Sequence, residues 1–386
     1  MRTVYLDHTA TTPLDPEVLE AMRPYFLEKF GNASSIHHFG QEAKAALDSS
    51  RDRLAALVGV RPGELFFVSS GTEADNFALK GAAASMREKG KRHIVTSAVE
   101  HHAVLETCRH LETEGCTVTY LRPDRDGMTA PEEVLEALRP ETGIVSVMHA
   151  NNEVGTINPI ARIAEAAHAQ GILVHTDAVQ SFGKVPVDAG ALGADLVSLS
   201  AHKIYGPKGI GALVVRKGVT LGKFMHGGGQ ERGRRGGTEN VPLAVGFALA
   251  AAKASERMSA EGARLSGLRE HLRRRLVERF RGVMLNGHPE ESLPHIVNCS
   301  FDARHWVVDG EALLFGLDLA GVAVTSGSAC TSGSMEPSHV LLAMGREPAT
   351  AKATIRFSMG LATTREDLDF AVEALAEVIA RIGRTL

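Results

Sequence analysis

Residues 160–177 read Ile-Ala-Arg-Ile-Ala-Glu-Ala-Ala-His-Ala-Gln-Gly-Ile-Leu-Val-His-Thr-Asp. Ile160–Gln170 has the pattern of an amphipathic helix, Gly171 supplies its stop, and Ile172–Thr176 is a short strand-like run that Asp177 closes. The same unit recurs on both sides. Upstream, Leu65–Val68, Ile94–Val99, Val118–Leu121 and Ile144–Met148 are strand-like, and the run to Lys89, His102–Glu114 and Glu132–Leu138 are helix-like. Downstream, Leu196–Leu199 and Ala212–Val215 complete the series. Strand and helix in alternation predict an α/β fold, with a mainly parallel sheet covered on both faces. Ligands of such sheets gather at the C-terminal ends of the strands.

After about Gly246 the pattern changes. Val241–Ala254 is alanine-rich and reads as a buried helix, and Lys253–Phe280 as a long charged one. Strand-like Val283–Leu285, Ile296–Phe301 and Thr354–Phe357 follow, with helix-like Glu311–Leu319 and a last helix from Arg365 to Ile382. The expectation is a large domain over residues 14–255 and a smaller α+β domain over 256–386, joined by an extended arm, 1–13. That agrees with the two or three domains that roughly 100–200 residues per domain allow for 386 residues.

Composition excludes several classes. Lysine plus arginine is 42 against 46 for aspartate plus glutamate, so the basic excess of a nucleic-acid binder is missing. The start, Met-Arg-Thr-Val-Tyr-Leu-Asp-His, has no apolar run of signal length, and no stretch has the length and apolarity of a membrane span. A cytoplasmic chain without membrane or direct nucleic-acid contact is expected. Four cysteines cannot staple 386 residues, and no Cys-x-x-Cys occurs. His37-His38 and His101-His102 lack the i, i+4 spacing of a helical metal site, so no metal is expected.

The polar residues at strand ends are more informative. Lys203, in Ser200-Ala201-His202-Lys203-Ile204-Tyr205-Gly206, lies just beyond a strand. Desolvation there would lower its pKa and suit it to Schiff-base formation, whereas a lone lysine is ordinarily a solvated loop residue. Asp177 could pair with a protonated pyridine nitrogen, the contact that makes pyridoxal phosphate (PLP) an electron sink, or simply cap a turn. Gln180 could reach the ring's phenolic oxygen. Ser70-Gly71-Thr72-Glu73 could hold a phosphate at a helix start, or be an ordinary cap. His101 could stack on an aromatic cofactor. Each signal is weak alone, but together they form a phosphate holder, a stacking ring, a nitrogen partner and an amine at successive strand ends.

Cys330 sits in Ser326-Gly327-Ser328-Ala329-Cys330-Thr331-Ser332-Gly333-Ser334, with no bulky apolar neighbour. That composition predicts an accessible, reactive thiol on a mobile loop. Cys108, Cys116 and Cys299 read as packing. Arg356, a charge between apolar strand residues, needs an anionic partner: a substrate carboxylate or a structural carboxylate. Gly227–Thr238 reads as a flexible phosphate or subunit contact, and it is not a Walker motif.

With these residues in view, the chain resembles the cysteine desulfurases of the class V aminotransferase group, fold-type I PLP-dependent transferases. The likeness runs from Tyr5-Leu-Asp-His-Thr-Ala-Thr-Thr-Pro13 to Ile355-Arg-Phe-Ser358, through His149-Ala-Asn-Asn-Glu-Val-Gly155, Ser200–Gly211, Gly227–Asn240 and Gly327–Ser332. The Ser-Gly-Ser-Ala-Cys loop resembles the iron–sulfur and nitrogen-fixation branch. Ser70 departs from it, standing where the family has a further glycine, and so does Ala33, where the family has proline.

The resemblance implies that Lys203 carries PLP as a Schiff base and moves protons. It implies that His101 stacks on the ring and that Asp177 and Gln180 contact its nitrogen and phenolic oxygen. Gly71, Thr72, Ser200 and His202 would hold phosphate, with Thr238 reaching across from a second subunit. Asn152 and Arg356 would bind the substrate carboxylate. Cys330 would take sulfur from L-cysteine as a persulfide, releasing L-alanine and passing sulfur to an iron–sulfur scaffold or a thiolation carrier. A homodimer with shared sites is implied. The rival readings are another class V enzyme (a selenocysteine lyase or aminotransferase) and a non-catalytic sulfur-carrier or scaffold-binding protein.

Overall fold

The computed structural model describes residues 2–327 and 336–385. Its strands are β1 (Val4–Tyr5), β2 (Leu65–Val68), β3 (His93–Ser97), β4 (Thr117–Leu121), β5 (Thr142–Ser146), β6 (Leu173–Asp177), β7 (Leu196–Ser200), β8 (Gly211–Val215), β9 (Val283–Asn286), β10 (Ile296–Phe301), β11 (Trp306–Val307), β12 (Val322–Ala323), β13 (Thr354–Ser358) and β14 (Arg384–Thr385). The helices that matter below are α1 (Pro16–Leu27), α2 (His38–Leu57), α3 (Gly71–Glu88), α4 (His102–Thr113), α5 (Pro131–Ala137), α6 (Ile160–His168) and α7 (Val241–Arg279).

Seven strands form the large sheet in the order β2-β8-β7-β6-β5-β3-β4. All pair in parallel except β8, which runs antiparallel to both β7 and β2. β2, β3, β5, β6 and β7 therefore point their C-terminal ends to one edge. Both faces of the sheet are covered, so successive strand residues serve two different cores. Val95, Val145, Val174 and Val197 pack against α1, α2, α6 and α7. Ile94, Ile144 and Leu196 pack on the other face, against α3 and α4.

β9, β10 and β13 form a second, antiparallel sheet in the order β13-β10-β9. The N-terminal arm is tied to this part of the chain. β1 pairs in parallel with β12, the Ser358 amide donates to the Leu6 carbonyl at 2.7 Å, and Val4 and Leu6 are buried in the same apolar cluster as Phe301, Ile355 and Phe357.

The two helical stretches read between Val241 and Phe280 are one continuous helix, α7, because no residue in the overlap breaks it. Its first half buries Ala244, Phe247 and Ala251 in the large core. Its second half buries Leu265, Leu272 and Leu276 in the small one. The division drawn between residues 255 and 256 falls inside this helix. Among the described residues no helix is long and apolar enough to cross a membrane.

Candidate active site

β2, β3, β5, β6 and β7 converge on a cavity of about 220 Å³. Gly71 and Thr72 from the first turn of α3, His101 after β3, Asn152 after β5, Asp177 and Gln180 at the end of β6, Ser200 at the end of β7, and His202 and Lys203 just beyond it all line it. Thr238 is elsewhere, on a second cavity with Glu231 and Arg235. Arg356 lies behind the wall, its Nη1–H donating to the Asn152 carbonyl at 2.8 Å. Cys330 lies outside the described residues.

The local chain explains each placement. Ser70 caps α3, its Oγ accepting the Glu73 amide at 3.1 Å. The Glu73 carboxylate turns back to the Ser69 amide and to Arg235, at 2.7 Å each. This leaves Gly71 and Thr72 on the cavity side of the helix start. Gly71 must lack a side chain, since a Cβ there would lie 2.7 Å from Val179 Cγ2. Asn151 builds the turn that presents Asn152: its Oδ1 accepts the Glu153 and Val154 amides at 2.8 and 2.9 Å. His101 caps α4 by accepting the Ala103 amide on Nδ1 at 3.1 Å. That bond needs a bare Nδ1, so the ring is held neutral. Burial and the nearby Lys203 charge also push its pKa down, to about 4. His202 is likewise lowered to about 4, mainly by burial and then by Lys203.

The Lys203 amine donates to the carbonyls of Thr9 and Ala10 on the arm, the latter at 2.8 Å. Gln180 Nε2 donates to the same Thr9 carbonyl at 3.0 Å. Burial first, then the charge of Arg356, lowers Lys203 to about 8, against the opposing pull of Asp177 and Asp7. A useful fraction of this amine is therefore uncharged near neutrality, as a nucleophile or proton carrier requires.

Asp177 accepts the Val179 amide at 2.8 Å and is raised to about 6 by burial, a rise limited by that amide and by Lys203. Two other acids are buried near it. Asp75, on α3, also borders the cavity, and Glu100 accepts the Met148 amide at 2.8 Å. Burial and the charge of Asp177 drive both well above the carboxylate range. His175, lowered to about 3 by burial, shares hydrogen bonds with Ser146 and Ser198 at 2.8 and 3.0 Å and lies 3.6 Å from Asp75. The negative charge of Asp177 thus adds to burial in favouring the neutral form of the other two.

Sequence reading missed Asp75, Met148, Val179 and the two arm carbonyls. Asp75 had a usable signal, standing one helical turn beyond Gly71. The Gly227–Thr238 segment, read as flexible, is pinned. The Glu231 carboxylate takes Arg51 in two bonds of 2.8 and 2.7 Å and the Phe67 amide at 3.1 Å, and its backbone is left-handed at φ 42°.

The cavity fits PLP. Ser200 Oγ is fully buried on its wall with no hydrogen-bond partner among the described residues, beside the helix start that Gly71 opens. A phosphate accepting from a hydroxyl and helix amides would satisfy that donor. A buried acid and a desolvated amine stand in the same cavity.

The comparisons agree with this geometry. The chain matches the class-V aminotransferase family over residues 4–370. It is 48% identical over 381 residues to the cysteine desulfurase IscS of Dictyoglomus turgidum, covering 99% of this chain and 95% of that one. Among solved structures, a NifS-like protein superposes with a TM-score of 0.91 at 38% identity, covering 99% of this chain and 100% of the other. A structure described as SspA in complex with cysteine follows at 0.81 and 37%, covering 92% and 99%. The chain belongs to the class-V aminotransferase family, whose enzymes depend on PLP. Within that family its place is among the cysteine desulfurases.

Proposed function

We propose that this chain takes sulfur from L-cysteine, releases L-alanine, and hands the sulfur on from a Cys330 persulfide to a protein acceptor, an iron–sulfur scaffold or a thiolation carrier. The observation that carries this is the convergence of nine residues from five strand ends on one cavity, among them Lys203, lowered to about 8, and the buried Asp177.

Lys203 would attach PLP through its amine. Gly71, Thr72, Ser200 and His202 would hold the phosphate, joined by Thr238 of a second copy in a homodimer. Asp177 would face the ring nitrogen, Gln180 the phenolic oxygen, and neutral His101 the ring itself. When bound, PLP supplies an electron sink for the substrate's α-carbon. Asn152 and Arg356 orient the substrate by its carboxylate. Lys203 takes the α-proton and returns one. The Cys330 thiolate attacks the substrate sulfur: the S–S bond forms as Cβ–S breaks, the electron pair stays with the carbon fragment, and protonation yields L-alanine. The working compartment is the cytoplasm.

The test is the visible spectrum with alanine and persulfide release from L-cysteine. Lys203→Ala should lose the cofactor-linked absorption. Cys330→Ala should keep it and lose the persulfide. Alanine formation that requires an added keto acid, or sulfur delivery to an acceptor that survives Cys330→Ala, overturns the reading.

A further inference from the structure

Arg356 is 5% exposed, and a guanidinium so buried needs acceptors for its donors. The Asn152 carbonyl takes Nη1–H at 2.8 Å, and the Asp7 carboxylate takes Nη2–H at 3.1 Å. Nε is buried and has no acceptor among the described residues.

Asp7 is fixed by its backbone. The Ser358 amide donates to the Leu6 carbonyl at 2.7 Å, and the His8 amide to the Ser358 carbonyl at 3.3 Å. Ser358 is two residues from Arg356 on β13, so its bridge to Asp7 sets the carboxylate beside the guanidinium. The Asp7 side chain is 21% exposed, against 6% for Arg356, so the acid stands on the open side of the pair. Its charge also reaches Lys203, where it favours the ammonium.

We infer that Asp7 is the resident counter-ion of Arg356, and that the substrate's α-carboxylate binds by competing with it. This rests on the reading of Arg356 as the carboxylate-binding residue. Asp7 spares the buried guanidinium an unpaired charge while the substrate is away. The same charge opposes a second carboxylate on the same guanidinium. Asp7 is therefore a positioning residue: it acts through Arg356 and lowers the affinity for any ligand that carries a carboxylate.

The experiment is isothermal titration of the PLP-loaded protein at constant pH and ionic strength with two probes, L-alanine and ethylamine, the second lacking the carboxylate. Asp7→Asn keeps an acceptor for Nη2 and removes the charge. It should raise the affinity for L-alanine about three- to tenfold relative to ethylamine, whose own change reports the loss of charge near Lys203. A general loosening of the site would shift both probes together. Asp7→Ser, which removes the charge with less bulk, should raise the alanine-to-ethylamine affinity ratio in the same direction. A ratio that stays constant or falls in both variants, or that moves in opposite directions between them, overturns the inference. Arg356→Gln tests the underlying reading separately. It should weaken L-alanine alone by about tenfold or more, and an unchanged ratio in that variant removes Arg356 from the carboxylate site whatever the Asp7 variants do.

Discussion

The buried acid under the cavity should make the cofactor-free protein less stable than it need be, and Asp177→Asn measures by how much. Asp177 is 7% exposed and raised from 3.8 to about 6 by burial. A shift of that size corresponds to about 3 kcal/mol. The sign follows from proton linkage. Between the unfolded value and the folded one, the folded chain holds the proton while the unfolded chain has released it. The penalty is absent well below pH 3.8, grows as the pH rises, and is complete above about pH 6. Asparagine is neutral throughout and can still accept the Val179 amide. The cofactor-free variant should therefore be more stable than wild type by about 2–3 kcal/mol at pH 8, and by about half of that at pH 5. The assay is urea unfolding of both proteins, stripped of PLP, at the two pH values. The cofactor should reverse the order, because the variant offers the ring nitrogen no anion and gains less stability from saturating PLP. A variant less stable than wild type at pH 8, or an advantage that does not grow with pH, refutes the reasoning.

Four further outcomes are expected. PLP loading of the stripped protein, followed by absorbance, should accelerate about tenfold per pH unit up to about 8 and then level off, since Lys203 reacts as the free amine. Glu231→Ala strands buried Arg51 and should cost about 3–5 kcal/mol in denaturant unfolding, much of it recovered when Arg51 is also made apolar. Gly71→Ala places a Cβ 2.7 Å from Val179 and should weaken PLP binding in an equilibrium titration, with Val179→Ala in the same chain restoring it. Burial pushes Cys108 and Cys299 up to about 12, and Cys116 is buried too, so native protein should show one fast thiol toward a disulfide reagent, lost in Cys330→Ala.

The parts of this molecule that were legible in sequence are those written locally. A β-branched run ending in Asp177, or in Ser200 with Lys203 three residues on, marks a strand and its C-terminal edge without any long-range information. The direction of β8 was not read, although a clue was present. Only residues 201–210 separate it from β7, and a parallel crossover takes a dozen or more. The arm carbonyls on Lys203 and the Asp7–Arg356 pair could not be read, because hydrogen bonding between residues 194 and 349 positions apart leaves no periodicity. Asp75 was hidden for a different reason. A helix residue facing a strand end looks like any other polar helix residue until the helix is docked. The reading of Cys330 rests on its loop composition and on the family.

The arm also carries a consequence for how the molecule is made. Asp7 and Thr9 are synthesised 349 residues ahead of their respective partners, Arg356 and Ser358. At about 5–20 residues per second, roughly 20–70 s separate the two events. The large sheet, complete by Val215, has its strands in hand long before then. During that interval the arm has no β12 or β13 to pair with. The arm can meet the large domain earlier, through Thr12, which bonds His202 and Tyr205, but its pairing beside Arg356 waits for β12 and β13. The Arg356 side of the site is thereby finished after the large sheet, by nothing more than where one short strand finds its partner.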